Sequence, residues 1–443
     1  MSMNYRETEE YSEELSKRGS VLGLRNMEVL MHALSDVQDT LKIVHIAGTN
    51  GKGSVASFLS SVLSCGGYKV GVYSSPAVFS PLEIIRIGKK NISRADYASC
   101  MSLVREASEK ENIPVTLFEA QTAAAFLYFA QKSCDMVILE CGLGGAEDAT
   151  NIIKAPLISV ITTVSLDHTQ ILGKTLEEIA SKKAGIIKQG CVCVSSYQDD
   201  EVLKVLSKKC SDLSVPLVVA DADRDVQIIL SDREGSVFKA DTPEGIFENI
   251  QIKLPGSHQI QNAFTAFLVI RELKKLGYDL TDAAIRKGFK TAVNPGRLEK
   301  INDAPTVIID GAHNPDGALA LREYVSTYFK NKRKIYLTGV FADKDYDTVM
   351  RYVLGSGAFE APDPDRQDMV ITLHTPYNDR ALNSNELAQT VLKYNGFVTA
   401  ASSVEEAVEL AFLTASKKDV IICFGSLSFL GRLKNAVKKI TGN

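Results

Sequence analysis

Short apolar runs alternate along the chain with stretches in which apolar residues recur every three or four positions. Ile43-Val44-His45-Ile46-Ala47 is one such run, and the segment behind it puts Val55, Phe58, Leu59, Val62 and Leu63 on one helical stripe. The same alternation predicts strands at 69–73, 136–139 and 157–164, with helices at 5–19, from about 27 to 35, near 93–111 and 119–132, from 257 to about 276, and at about 281–290. The segment 77–91 reads as irregular, and 190–255 as peripheral α/β with a hairpin around 232–235. Asn294-Pro295-Gly296-Arg297 breaks the pattern and predicts a domain boundary, giving 1–295 and 296–443. Beyond it, strands at 306–309, 334–340, 369–372 and 419–424 predict a smaller, open, mostly parallel Rossmann-like sheet.

At 443 residues the chain exceeds one ordinary core, so more than one domain is expected. Its 45% hydrophobic and 23% charged residues are those of a globular protein, and a net charge of −4 gives no electrostatic reason for nucleic acid. No apolar stretch is long enough for a membrane span, and the charged, helix-patterned N-terminus is unlike a signal peptide. The cysteines, at 65, 100, 134, 141, 191, 193, 210 and 423, form no CxxC pair and read as reduced thiols of a cytoplasmic protein.

The turn Gly48-Thr49-Asn50-Gly51-Lys52-Gly53-Ser54 changes this picture from fold to chemistry. A glycine-rich turn between strand and helix aims backbone N–H groups at one point, and the helix end and Lys52 add positive charge. That is a cradle for nucleotide phosphates, with Ser54 placed to reach Mg²⁺. It marks the larger domain as P-loop NTPase-like, although Gly53 intervenes where the common loop has its hydroxyl residue directly after the lysine. The run 136–139 ends on Glu140, where a carboxylate would hold Mg²⁺ directly or through water. The run 157–164 leads to Ser165-Leu166-Asp167-His168, which puts His168 at the sheet edge where open α/β sheets bind ligands. Lys182 and Lys183, on a helix opened by the capping box of Thr175 and Glu178, read by themselves as a solvated face.

AGTNGKGS (47–54), YSSP (73–76), ECGLGG with DATN (140–151), SLDH (165–168), KKAGIIK (182–188), HQIQNA (258–263), NPGRLE (294–299), DGAHNP (310–315) and ADKD (342–345) together resemble the bacterial folylpolyglutamate synthase/dihydrofolate synthase family, a branch of the Mur ligases. The resemblance runs the length of the chain. It implies an ATP-dependent ligase that adds L-glutamate to folates, and to dihydropteroate, through an acyl phosphate. It implies that Thr49, Asn50, Gly51, Lys52, Gly53 and Ser54 hold the phosphates, and that Asn262, Arg297 and Asp310 meet base, phosphate and ribose. Mg²⁺ would sit on Ser54 and, at a second site, on Ser75, Glu140 and His168, with a monovalent cation as a further candidate. Catalysis would rest on Lys52, His313 and Lys183, the last carrying a carbamate. The acceptor pocket would use Gly23, Leu24, Arg25, Arg86, Phe118 and Asp148.

Two positions depart from the family pattern: Ala77 stands where His follows SSP, and Ala146 where Arg follows the ECGLGG glycines. The competing expectations are another Mur-type amino-acid ligase and a regulatory P-loop NTPase. Small-molecule substrates and a monomer are expected.

Overall fold

The computed structural model describes residues 2–19, 21–355, 368–375 and 380–442. Its centre is the strand Ile43–Ala47, buried at every position. It pairs in parallel with Met136–Glu140 on one side and Ile158–Ile161 on the other. Continuous apolar runs of this kind suit a parallel sheet covered on both faces. The full sheet has eight strands, in the spatial order 90–91, 85–87, 70–73, 136–140, 43–47, 158–161, 192–196, 217–220. The helices Lys52–Cys65, His258–Lys275 and Asp282–Thr291 share one apolar core with its one face, while Arg94–Lys110 and Leu117–Gln131 cover part of the other.

Three differences from the sequence pattern have local causes. The segment 77–91 is not wholly irregular: a 3₁₀ turn, Pro81–Ile84, leads into the short antiparallel strands Ile85–Ile87 and Lys90–Asn91. These strands are too short to show a period. The region 190–255 divides. Val192–Ser196 and Leu217–Ala220 extend the main sheet, whereas Val226–Asp232, Gly235–Thr242 and Gly245–Ile252 form an antiparallel sheet of their own. The strand expected over 157–164 stops at Ile161, and the chain continues as a loop beside the phosphate turn.

The second domain carries a six-stranded sheet in the order 299–303, 306–309, 420–424, 334–338, 369–373, 398–401. Five strands are parallel, and Glu299–Asp303 is an antiparallel edge. That edge strand is polar and partly exposed, so no apolar alternation announces it.

Candidate active site

Three neighbouring strands of the main sheet end together. Ile46 is in register with Glu140, and Ala47 with Ile161. The phosphate turn, Glu140 and the 162–168 loop therefore leave the sheet side by side, at the crevice open sheets use for ligands. The turn is fixed from behind: Thr49 and Asn50 N–H both donate to the Thr163 carbonyl, at 2.8 and 3.2 Å, and Thr49 Oγ1 donates to the Ser165 carbonyl at 3.0 Å.

Gly51 caps the helix Lys52–Cys65 at φ +91°, and no side chain satisfies that helix end. A Cβ on Gly51 would stand 2.3 Å from Asn262 Oδ1, so only glycine allows the buried Asn262 to lie beneath the turn. An open helix end of this kind has the geometry of an anion site. Lys52 Nζ folds over it to the carbonyls of Gly48 and Thr49, at 3.0 and 3.2 Å. Ser54 is buried, and its Oγ accepts from Asn294 Nδ2 at 3.0 Å. One turn before Asn262, His258 keeps a buried Nδ1 with no partner among the described residues.

Glu140 is 5% exposed, and no described residue donates a hydrogen bond to its oxygens. Burial pushes its carboxyl up to about 7, against the pull of Lys52, Arg297 and Arg86. A buried carboxyl without donors, beside an anion cradle, fits a cation. Among the described residues no three His, Cys, Asp or Glu side chains form a metal cage. Mg²⁺ uses few protein ligands together with phosphates and water, so Glu140 and Ser54 suit it without one.

Lys183 departs from the solvated reading: it is 3% exposed and donates to the Gly48 carbonyl at 2.8 Å. Burial, and then Lys52, lower its amine to about 7. Lys182 on the same helix is half-exposed and pairs with Glu147 at 2.6 Å.

Asp310 is buried and accepts from the Leu298 and Ala312 N–H groups, each at 2.8 Å. Arg297 lies close enough for its charge to act on both Asp310 and Glu140. Across the crevice, Asn314 caps the helix Pro315–Phe329, and its Nδ2 donates to Asn50 Oδ1 at 3.1 Å. His313 Nδ1 lies 2.7 Å from the Gly311 carbonyl; that oxygen only accepts, so Nδ1 carries the hydrogen and Nε2 faces Asp167 at 3.7 Å.

His168 sits at φ +50°, and its Nε2 is 3.0 Å from Lys344 Nζ. Burial lowers its imidazole to about 4. Asp167, Lys344, Asn294 and Asn314 all belong to quoted motifs, yet sequence reasoning gave none of them a role. Their partners lie 147 to 264 residues away, a separation no local pattern reports.

The expected acceptor residues divide. Gly23 N–H donates to the Glu147 carbonyl at 3.1 Å, so the loop carrying Leu24 and exposed Arg25 adjoins the 146–148 turn. The Phe118 ring lies against Gly142 and 6.0 Å from the Tyr73 ring. Arg86 is half-buried and within the field of Glu140, and its Nη1 donates to the Gly88 carbonyl at 3.1 Å. Asp148 does not present its carboxylate to a pocket. It is 3% exposed and accepts from Leu143 N–H at 2.8 Å and Thr150 N–H at 3.0 Å, closing its own turn.

Known proteins carry the same pattern. Residues 46–270 match the Mur ligase middle domain, and residues 296–427 match the domain described as Mur ligase, glutamate ligase domain. The chain is 36% identical over 344 residues to the dihydrofolate synthase/folylpolyglutamate synthase of Bacillus subtilis (strain 168), covering 76% of this chain and 79% of that protein. It is 33% identical over 413 residues to the Mycobacterium tuberculosis protein of the same description, covering 88% and 82%. Among solved structures, Mycobacterium tuberculosis folylpolyglutamate synthase complexed with ADP superposes with a TM-score of 0.86 at 29% identity, over 98% of both chains. E. coli FolC in complex with DHPP and ADP does so with a TM-score of 0.86 at 26% identity, over 99% of both.

A phosphate cradle facing a second α/β domain across a hinge, with this likeness, defines an ATP-dependent ligase of the Mur superfamily. Within that superfamily the chain belongs to the dihydrofolate synthase/folylpolyglutamate synthase family.

Proposed function

We propose that the protein joins the amino group of L-glutamate to the γ-carboxylate of a reduced folate, and to the carboxylate of dihydropteroate. The observation that carries this reading is the contact of Asn50, in the phosphate turn, with Asn314, beside His313. A nucleotide γ-phosphate held by the turn would face a carboxylate and an amine held between the domains.

A carboxylate and an amine do not condense at neutral pH, so the acid needs a leaving group. A carboxylate oxygen attacks the γ-phosphorus, the bond to the β–γ bridging oxygen breaks, and ADP leaves. The amine then attacks the acyl carbon, inorganic phosphate departs, and the amine loses a proton. Phosphoryl transfer of this kind is positioning plus charge neutralisation. Lys52 would swing from its two carbonyls to the β and γ oxygens, with the N–H groups of Thr49 to Ser54 around them. Arg297 would approach the phosphates from the hinge, Asn262 the base and Asp310 the ribose. Bound Mg²⁺ neutralises phosphate charge; Ser54, and at a second site Ser75, Glu140 and His168, would hold it. Carbamylated Lys183 would present an anion to that corner, and a monovalent cation would add to it. His313 would face the reacting carboxylate.

We place the domain division at 1–295 and 296–443. Gly23 to Arg25, Arg86 and Phe118 would hold the acceptor, with Asp148 shaping its turn rather than touching it. The protein is read as a cytoplasmic monomer acting on small molecules; among the described residues no helix is long and apolar enough to cross a membrane. A regulatory NTPase would leave the second domain's His313-Asn314 turn unused. Incubation with ATP, glutamate and dihydropteroate, and then with tetrahydrofolate, decides between the readings. Glutamylated product with one ADP per amide supports the ligase. ADP release without product in both incubations rejects it.

A further inference from the structure

One side chain of the first domain receives three from the second. Asp167 Oδ1 accepts from Lys344 Nζ at 2.6 Å. Its Oδ2 lies 3.4 Å from Asn314 Nδ2 and 3.7 Å from His313 Nε2. The side chains of Asp167 and Lys344 are 10% and 7% exposed, so water screens the pair little. Lys344 also reaches His168 Nε2 at 3.0 Å. With the domains apart, each of these groups would return to water.

We propose that Asp167 is the positioning residue of domain closure, the carboxylate on which Lys344, Asn314 and His313 settle when the second domain is in register over the phosphate turn. Three physical arguments carry this. First, a buried ion pair gains little over solvated partners, and its best-attested use is to specify one arrangement among several. Second, the acceptor set is directional. Oδ1 takes the Lys344 ammonium and Oδ2 the Asn314 amide, so a slipped domain would leave these two donors unpaired, which is costly. Third, the contact runs on into the turn. Asn314 Nδ2 is shared between Asp167 and Asn50, while Asn314 Oδ1 caps its own helix by accepting from Gly317 N–H at 2.9 Å. Closure is thereby tied to the loop that would hold the phosphates, and the turn carrying His313 is oriented in the same event. The assignment rests on the proposed ligase function for its catalytic consequence, but not for its geometry.

The test uses the full chain and the variants Asp167→Ala, Lys344→Ala and their double. With a saturating non-hydrolysable ATP analogue, small-angle X-ray scattering of the unmodified protein should match the closed structure. Asp167→Ala should stay expanded while binding the analogue with unchanged affinity. In turnover, each single variant should lower kcat on the order of 10²-fold, the usual cost of a displaced reacting geometry. Each should leave the KM for ATP within about threefold, and the double variant should be no slower than the slower single. Equal compaction in Asp167→Ala, or single effects that multiply in the double, overturns the proposal. If Asp167→Ala melts below the assay temperature, Lys344→Met removes the same contact from the other side and is scored the same way. A protein that makes no glutamylated product refutes the function instead, and the scattering still decides on Asp167.

Discussion

Lys183 and Lys52 donate to the same carbonyl oxygen: their Nζ atoms lie 2.8 and 3.0 Å from Gly48 O. Burial, and then the neighbouring Lys52, lower the Lys183 amine to about 7.

Lys183 should therefore take up carbon dioxide. At pH 8 most of its amines are neutral, whereas an ordinary lysine near 10.4 is almost wholly charged. Protein equilibrated with carbon-13-labelled bicarbonate should give one carbamate resonance that is lost in Lys183→Ala. Turnover should fall in carbonate-free buffer and return on adding bicarbonate. No resonance in the unmodified protein at pH 8 with Mg²⁺ and nucleotide would reject the carbamate.

Glu140→Gln should reverse a pH dependence of stability. An unfolded glutamate titrates near 4.5, whereas in the folded protein burial holds Glu140 at about 7. Between those values the folded chain carries a proton on Glu140 that the unfolded chain lacks, so the contribution of Glu140 to stability falls as pH rises through this window and levels off above it. The slope is on the order of 1.4 kcal/mol per pH unit. In thermal melts without metal or nucleotide, Glu140→Gln should match the parent near pH 4.5 and exceed it at pH 8. The same variant should need more Mg²⁺ for turnover. Burial lowers His45, His168 and His258, which pushes the parent's own curve the other way, so the difference between variant and parent is the readout. A difference that does not grow from pH 4.5 to pH 8 would show that burial does not raise Glu140.

Lys52→Ala removes the only full positive charge carried by the phosphate turn. Loss of one donor to developing charge costs on the order of 10²- to 10³-fold. The predicted result is at least that loss in kcat, with a melting temperature near that of the parent. Activity within tenfold of the parent would exclude Lys52 from the phosphates.

Acceptor affinity should respond to positions 77 and 146. Ala77 packs at the edge of the core, and Ala146 N–H donates to the Lys182 carbonyl at 2.8 Å beside the turn that adjoins Gly23. A regained charged hydrogen bond is worth about 1.5–3 kcal/mol, or roughly ten- to a hundredfold in affinity. The double variant Ala77→His, Ala146→Arg should lower the KM for the acceptor and leave that for ATP unchanged. An unaltered acceptor KM would move the pocket elsewhere.

The legible and the illegible parts of the molecule differ in sequence separation. Ile43–Ala47, Gly51, Lys52 and Ser54 fall in one stretch whose order of strand, turn, cation and helix expresses its own mechanism. Glu140 was readable because an apolar run ending on a carboxylate is locally unusual. Asp167 was not, because its neighbour His168 has the more distinctive chemistry and its partners belong to another domain. Asp148 misled for the converse reason: its place in the DATN motif is local, but the inward turn of its carboxylate depends on Leu143 and Thr150 donating to it. The burial of Lys183 was equally hidden, since KK on an amphipathic helix reads the same whether it faces water or a strand end.

The chain between the domains is held from both sides of a single residue. Asn294 is tied to Ser54 in the first domain, while the Gly296 carbonyl accepts from Gly311 N–H at 2.9 Å and Leu298 N–H donates to Asp310, both in the second. Only Pro295 lies between. Arg297 is therefore cargo of the second domain. A chimera that exchanges second domains among relatives should be spliced at this proline. A cut a few residues later would separate Arg297 from Asp310, leaving a recombinant whose halves fold while the arginine proposed to meet the nucleotide comes from the wrong parent.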